Sequence, residues 1–145
     1  MSHPAVSPDF ATCPAHPLPN LVKLGIDMER YDYDVALAVK SGADVVVLDG
    51  MQGGTAATQD VFIEHVGLPI IACIREAVRA LEELGMHREV QLVVSGGIRT
   101  GADVAKALAM GADAVAIGTA ALIALGDNDP KWESDYNALG TTAGA

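Results

Sequence analysis

The stretch SGADVVVLDGMQGGT (residues 41–55) is answered later in the chain by MGADAVAIGT (110–119). Shifting the sequence by 69 residues lays Gly42-Ala43-Asp44 on Gly111-Ala112-Asp113, Val46 on Val115, and Asp34-Val35-Ala36 on Asp103-Val104-Ala105. A helical segment, a Gly-Ala-Asp turn and a short apolar strand therefore occur twice, the mark of a fold that repeats one supersecondary unit.

Around this pair the chain alternates. Apolar runs predict strands near 21–25, 45–48, 91–95 and 114–117. Between them, helical spacing predicts helices in YDYDVALAVKSG (31–42), in TQDVFIEHVG (58–67) with a cap near Thr58 or Thr55, from about Ile74 to Leu84, in RTGADVAKALAMG (99–111) and in AALIALG (120–126). One further helical turn is expected near Trp132. The strands are continuous apolar runs without alternation, which fits parallel strands covered on both faces. Two units in 69 residues allot about 35 to each, close to the roughly 31 per unit of a 250-residue (βα)8 barrel.

The expected fold is thus α/β: half of a TIM barrel, four parallel strands with flanking helices, over residues 21–126. A proline-rich extended arm (1–20) precedes it and a polar tail (127–145) follows. An open sheet of flavodoxin type fits the same periodicity. Half a barrel leaves inward-facing Val and Leu wet and two strand edges unpaired, so a homo-oligomer or a second chain supplying the missing half is expected.

Composition narrows the function. The 145 residues are 50% hydrophobic and 4% aromatic, with 15 glycines, a close-packed globular composition. A net charge of −10 opposes binding to nucleic acid or to an anionic membrane surface. Cys13 and Cys73 form neither a disulfide framework nor a metal-ligand spacing. No apolar run has the length of a membrane span, and the first residues lack the pattern of a signal peptide, so the expected location is cytoplasmic.

Parallel α/β folds bind ligands at the carboxyl ends of their strands. After the third strand comes Ser95-Gly96-Gly97-Ile98-Arg99-Thr100-Gly101, where paired glycines let backbone N–H groups approach an anion ahead of a helix N-terminus. After the fourth comes Gly118-Thr119, and two such adjacent turns compose the phosphate cup of a barrel. The Gly-Gly pair could instead serve only a tight turn. Lys23, inside the first strand, is expected at the barrel mouth facing an anionic or electron-rich ligand, or snorkelling to water from a frayed end. Asp49 and Gln52 either orient a substrate or organise the turn between them. Met51 reads as packing, and His65 and His87 as helix-associated residues far from strand ends. No nucleophile elbow, metal-ligand pair or Walker loop is present. A phosphate cup, a lysine and few acid–base groups suit a phosphate-bearing cofactor that brings its own reactivity.

GADVVVLDGMQGGTAATQ (42–59) and VVSGGIRTGADVAKALAMGADAVAIGTAALIALG (93–126) together resemble the FMN-binding barrel of the glutamate synthase family, in the branch that includes N-methylglutamate synthase subunits. The likeness runs over about residues 21–140, and the Gly-Gly-Thr loop after an Asp is its discriminating part; the GGIRTGADVAKALAMGA segment is also similar to inosine-monophosphate dehydrogenases and flavin-dependent hydroxy-acid oxidases. The resemblance implies FMN at the mouth of a (βα)8 barrel, with this chain matching strands five to eight. By position it implies Lys23 beside the flavin ring, Ser95, Gly96 and Gly97 with Gly118 and Thr119 around the phosphate, and Asp49, Gln52, Gly53, Gly54 and Thr55 facing flavin and substrate. The implied reaction reduces an imino acid, formed from 2-oxoglutarate and an amine, to an amino acid. Two family features have no counterpart: the first four strands, and the cysteines for a 3Fe–4S cluster, absent from DNDPKWESDYNALGTTAGA (127–145). The competing expectations are a non-catalytic truncated barrel that self-associates without cofactor, and a piece of an inosine-monophosphate-dehydrogenase-like barrel, which would lack the catalytic cysteine in the loop between the second and third strands.

Overall fold

The computed structural model describes residues 19–25, 31–53, 59–126 and 129–131. The arm up to residue 18, Gly54, Thr55, Thr58 and the tail with Trp132 lie outside the described residues.

Four strands form one parallel sheet in the order β1-β2-β3-β4: β1 (Leu21–Gly25), β2 (Val45–Asp49), β3 (Gln91–Ser95) and β4 (Ala114–Ala116). Helices α1 (Tyr31–Lys40), α2 (Asp60–His65), α3 (Ile70–Glu83), α4 (Gly101–Ala109) and α5 (Thr119–Ala124) alternate with them. Strand order follows chain order, without the reversal of a doubly wound sheet such as flavodoxin's. This is the winding of a barrel, and the chain is half of one.

Register fixes the two faces. Lys23 lies beside Val47 and Val47 beside Val93, while Gly25, Asp49 and Ser95 form the next row on the same face. The opposite face presents Val22, Leu24, Val46, Leu48, Leu92, Val94 and Val115 to the helices. Val46, Leu48, Leu92 and Val94 are fully buried there with Val35 of α1 and Cys73, Ile74, Ala77 and Leu81 of α3. The lysine face has no such cover among the described residues: Leu21 is 61% exposed, and Val45, Val47 and Val93 are only half-buried. The expectation of strands covered on both faces is therefore met on one face only, because the helices of a (βα)8 unit all pack on the outer side.

Three boundaries differ from the sequence pattern. Helix α3 starts at Ile70 rather than Ile74, because Pro69 stands at its N-cap with φ −60° and ψ 133°, and the buried stripe Ile70, Cys73, Ile74, Ala77, Val78, Leu81 already begins there. Helix α2 starts at Asp60, with Gln59 at its N-cap making no side-chain cap; Thr55 and Thr58 lie outside the described residues. Strand β4 ends at Ala116, because only Ala114, Val115 and Ala116 pair with β3.

Candidate functional site

The carboxyl ends of the strands gather most of the described candidate residues. The loop leaving β2 folds onto β3: Gly50 N–H donates to the Ser95 carbonyl (2.9 Å) and Gly53 N–H to the Gly50 carbonyl (2.8 Å). Met51 N–H donates to the Leu68 carbonyl (2.9 Å), which ties the loop to the segment before α3. The two glycine-rich loops therefore form one joined surface.

Gly96 is what allows this contact. It has φ +93°, and a Cβ there would stand 2.8 Å from the Gly50 carbonyl oxygen and 3.0 Å from Gly53 N. Gly97 follows at φ +75°, with the Gln52 side chain 3.2–3.3 Å from where its Cβ would be. Both require the left-handed region, which glycine enters without penalty. Gln52 Oε1 also accepts the Ile70 N–H at 3.4 Å, so this side chain spans from the first turn of α3 to the Gly97 turn.

The Gly96-Gly97 turn leads into α4 through a capping box. Thr100 Oγ1 accepts the Asp103 N–H at 3.3 Å, and Asp103 Oδ2 accepts the N–H groups of Thr100 (2.9 Å) and Arg99 (3.1 Å). The Thr100 hydroxyl and these two N–H groups hold the Asp103 carboxyl below its ordinary value. The T-x-x-D spacing that signals such a box was present in the sequence, unlike the contacts of Gln52.

Lys23 and Asp49 lie on the open face at the same end. Lys23 Nζ is 2.9 Å from Asp49 Oδ2, the lysine side chain being 59% exposed and the aspartate 21%. The second oxygen, Asp49 Oδ1, is buried with no hydrogen-bond partner among the described residues, and Gly53 packs directly against it. Lys23 is the central residue of β1, paired in register with Val47, and not at a frayed end; its ammonium meets Asp49 and also reaches solvent.

Gly118 and Thr119 begin α5 on the neighbouring strand; Ser95 and Ala116 are register partners, so both turns leave the sheet side by side. Thr119 is exposed. His65 ends α2. His87 forms an isolated bridge with Val90 just ahead of β3, so it does adjoin a strand end, but the amino end, away from these loops. Gly54 and Thr55 belong to the undescribed part of the β2 loop. Among the described residues no group of His, Cys, Asp and Glu side chains is placed to hold a metal ion.

The arrangement defines a class: a half (βα)8 barrel with two adjoining glycine turns and a Lys–Asp pair on its carboxyl-terminal rim. Residues 17–129 match the model of the conserved region in glutamate synthase. The chain belongs to the glutamate synthase family. It is 77% identical over 127 residues to a glutamate synthase large subunit-like protein of Rhizobium meliloti, covering 88% of this chain and 28% of that protein. It is 55% identical over 86 residues to an archaeal glutamate synthase [NADPH] of Methanocaldococcus jannaschii, covering 59% of this chain and 17% of that one. The chain therefore spans under a third of the length of either relative. Similar solved structures include a flavocytochrome b2 variant with benzoylformate (TM-score 0.54, 28% identity, 71% of this chain and 23% of that one). FabK from Thermotoga maritima shares the fold at a TM-score of 0.52 and 21% identity, over 72% of this chain and 27% of that one. No helix among the described residues is long and apolar enough to cross a membrane.

Proposed function

We propose that this chain is the FMN-binding half-barrel of a glutamate synthase-like oxidoreductase, one that reduces an imino acid formed from 2-oxoglutarate and an amine. Residues 21–126 are the binding region, 1–20 an arm and 127–145 a tail, in a cytoplasmic protein whose barrel is completed by strands from outside this stretch. The single observation that carries this is the joined Gly50–Gly53 and Gly96–Gly97 surface, set beside the Lys23–Asp49 pair at the carboxyl ends of the strands.

The residues fit a flavin mononucleotide. Ser95, Gly96 and Gly97 with Gly118 and Thr119 would hold the phosphate: the left-handed glycines leave backbone N–H groups unshielded by any Cβ. Lys23 would face the ring as the cation that favours negative charge on it, and Asp49 would hold Lys23 in place. Gln52, Gly53, Gly54 and Thr55 would line the substrate side, with Asp49 and Gln52 orienting the imino or 2-oxo acid. FMN, when bound, supplies the hydride. The protein's share is position and charge.

Titration of the purified chain with FMN, following quenching of flavin fluorescence, tests this. Saturable quenching that Gly97→Asp abolishes supports the assignment; equal binding by wild type and Gly97→Asp refutes the site. Absence of quenching in both, with the chain folded, favours the second reading, a non-catalytic barrel piece, for which the edges of β1 and β4, unpaired among the described residues, speak.

A further inference from the structure

We propose that Gly53 is a positioning residue for Lys23: it leaves empty the one volume that the Asp49 carboxylate needs in order to pair with the lysine. The proposal deepens the flavin reading, since Lys23 is the cation of that site, and it rests on that reading only for its part in catalysis.

The two oxygens of Asp49 are held unequally. Oδ2 meets Lys23 Nζ at 2.9 Å. Oδ1 is turned under the loop that leaves β2, where it is shut off from water and has no hydrogen-bond partner among the described residues. A buried carboxylate oxygen without a donor is disfavoured against one that faces water. It lies inward because a carboxylate is planar: the orientation that brings Oδ2 onto the ammonium carries Oδ1 to the other side. There it stands 2.4 Å from the point where a Cβ of residue 53 would be, with Cγ at 3.1 Å. Any side chain at 53 therefore forbids this orientation of Asp49.

Backbone conformation does not explain this glycine. Its φ lies outside the left-handed region that Gly96 and Gly97 occupy, so alanine at 53 carries no left-handed strain. The Gly50 carbonyl oxygen, 3.1 Å from the same point, needs to give by only a few tenths of an ångström. What an added methyl must displace is the end of a short side chain that can swing toward solvent. The substitution is thus mild for the fold and severe for the pair: the carboxylate leaves and Lys23 loses its partner.

Gly53 is itself fixed from the β3 side. Its N–H donates to the Gly50 carbonyl (2.8 Å), and Gly50 N–H donates to the Ser95 carbonyl (2.9 Å). Gly96 lies against both, its missing Cβ 2.8 Å from the Gly50 oxygen and 3.0 Å from Gly53 N. A line of contacts therefore runs from the glycine turn after β3 through Gly53 and Asp49 to the ammonium of a residue on β1. The turn assigned to the phosphate and the cation assigned to the ring are set by one another.

Acylation of lysines by acetic anhydride in the full chain without FMN, followed by peptide mapping, reads the pair. Labelling of Lys23 is measured against Lys40 and Lys106, both exposed. Gly53→Ala should raise the relative labelling of Lys23 about two- to fivefold, the range that an exposed ion pair spans, with a melting temperature close to that of wild type. Asp49→Ala should raise it by the same factor. The double variant should rise no further than either alone, because the methyl displaces nothing once the carboxylate is gone. Unchanged labelling of Lys23 in Gly53→Ala, a rise at all three lysines together, or effects that multiply in the double variant overturns the proposal. Should Gly53→Ala fail to fold, the double variant must fold, and its failure also overturns the proposal. FMN takes no part in these measurements, so an uncoupled Gly53 and a failed flavin titration are separate outcomes.

Discussion

Lys23 and Asp49 form their 2.9 Å ion pair without being register partners: Lys23 lies beside Val47, and Asp49 beside Gly25. The lysine reaches one row up the open face, toward the carboxyl ends of the strands, and there its charge is concentrated where a ligand would enter. Exposed pairs of this kind contribute about 0–1 kcal/mol to stability. Lys23→Met should therefore leave thermal unfolding nearly unchanged yet weaken FMN binding by about tenfold, equivalent to ~1.4 kcal/mol. Parallel melting and fluorescence titrations check this; a large fall in melting temperature with unaltered affinity would make the lysine a structural residue.

Substitutions at the two glycines of the β3 turn should differ in severity. A Cβ at Gly96 meets backbone, the Gly50 carbonyl oxygen at 2.8 Å, while one at Gly97 meets the flexible Gln52 side chain at 3.2–3.3 Å. Both pay for a left-handed backbone, about 1 kcal/mol, but only Gly96→Ala must also separate the two loops. Gly96→Ala should lose more stability and more FMN affinity than Gly97→Ala, as read by urea unfolding and fluorescence quenching. Equal effects would mean that the loops are not locked together.

Asp113 closes the opposite end of the sheet. Its carboxylate accepts the Leu92 N–H and pairs with Arg88, a residue at φ +72°. Asp113→Ala leaves that N–H without its charged acceptor, a loss of about 1.5–3 kcal/mol. Denaturant unfolding should show the loss, while FMN affinity per folded molecule stays the same, because amino-terminal rims of barrel strands serve stability and carboxyl-terminal rims serve ligands.

The capping box of α4 should make stability depend on pH. The Asp103 carboxyl is held below its ordinary value by the Thr100 hydroxyl and by the N–H groups of Thr100 and Arg99. A depressed folded-state pKa gives stability that is fully present above the unfolded value, about 3.9 for Asp, and lost as pH falls through the folded one. Wild type should therefore lose stability relative to Asp103→Asn as the pH drops below about 4. Thr100→Ala should cost about 1 kcal/mol at neutral pH. Unfolding curves between neutral pH and the acid range measure both.

Burial pushes the Cys73 thiol up, and its Sγ donates to the Pro69 carbonyl at 3.4 Å inside α3. It should react with a thiol reagent only as fast as the protein opens, and become fully reactive in denaturant; peptide mapping after alkylation would show this. Rapid labelling of Cys73 in the native protein would contradict the packing of α3 on the sheet.

How much of this was legible beforehand follows from range. The strands, the 69-residue repeat and the glycine turns were readable because each depends on residues close in sequence: continuous apolar runs, a Gly-Ala-Asp turn, paired glycines before a helix. The T-x-x-D cap was equally local. Helix α3 begins at Ile70, four residues before the expected start, because its buried stripe already opens there behind Pro69.

Sequence by itself thus determined the parallel α/β class, the positions of the four described strands and the places where glycine is needed, since backbone preference and hydrophobic period act over a few residues. That the strands lie side by side in chain order, unlike a flavodoxin-type sheet, was decided by the structure. Tertiary structure alone decided which face stays open, that Gln52 lies over Gly97, and that Lys23 meets Asp49 one row away. Those facts depend on the register between strands 24 and 46 residues apart. Register is set when α1 and α3 bury one whole face of the sheet together, and a local pattern cannot encode a choice made by the packed core as a whole.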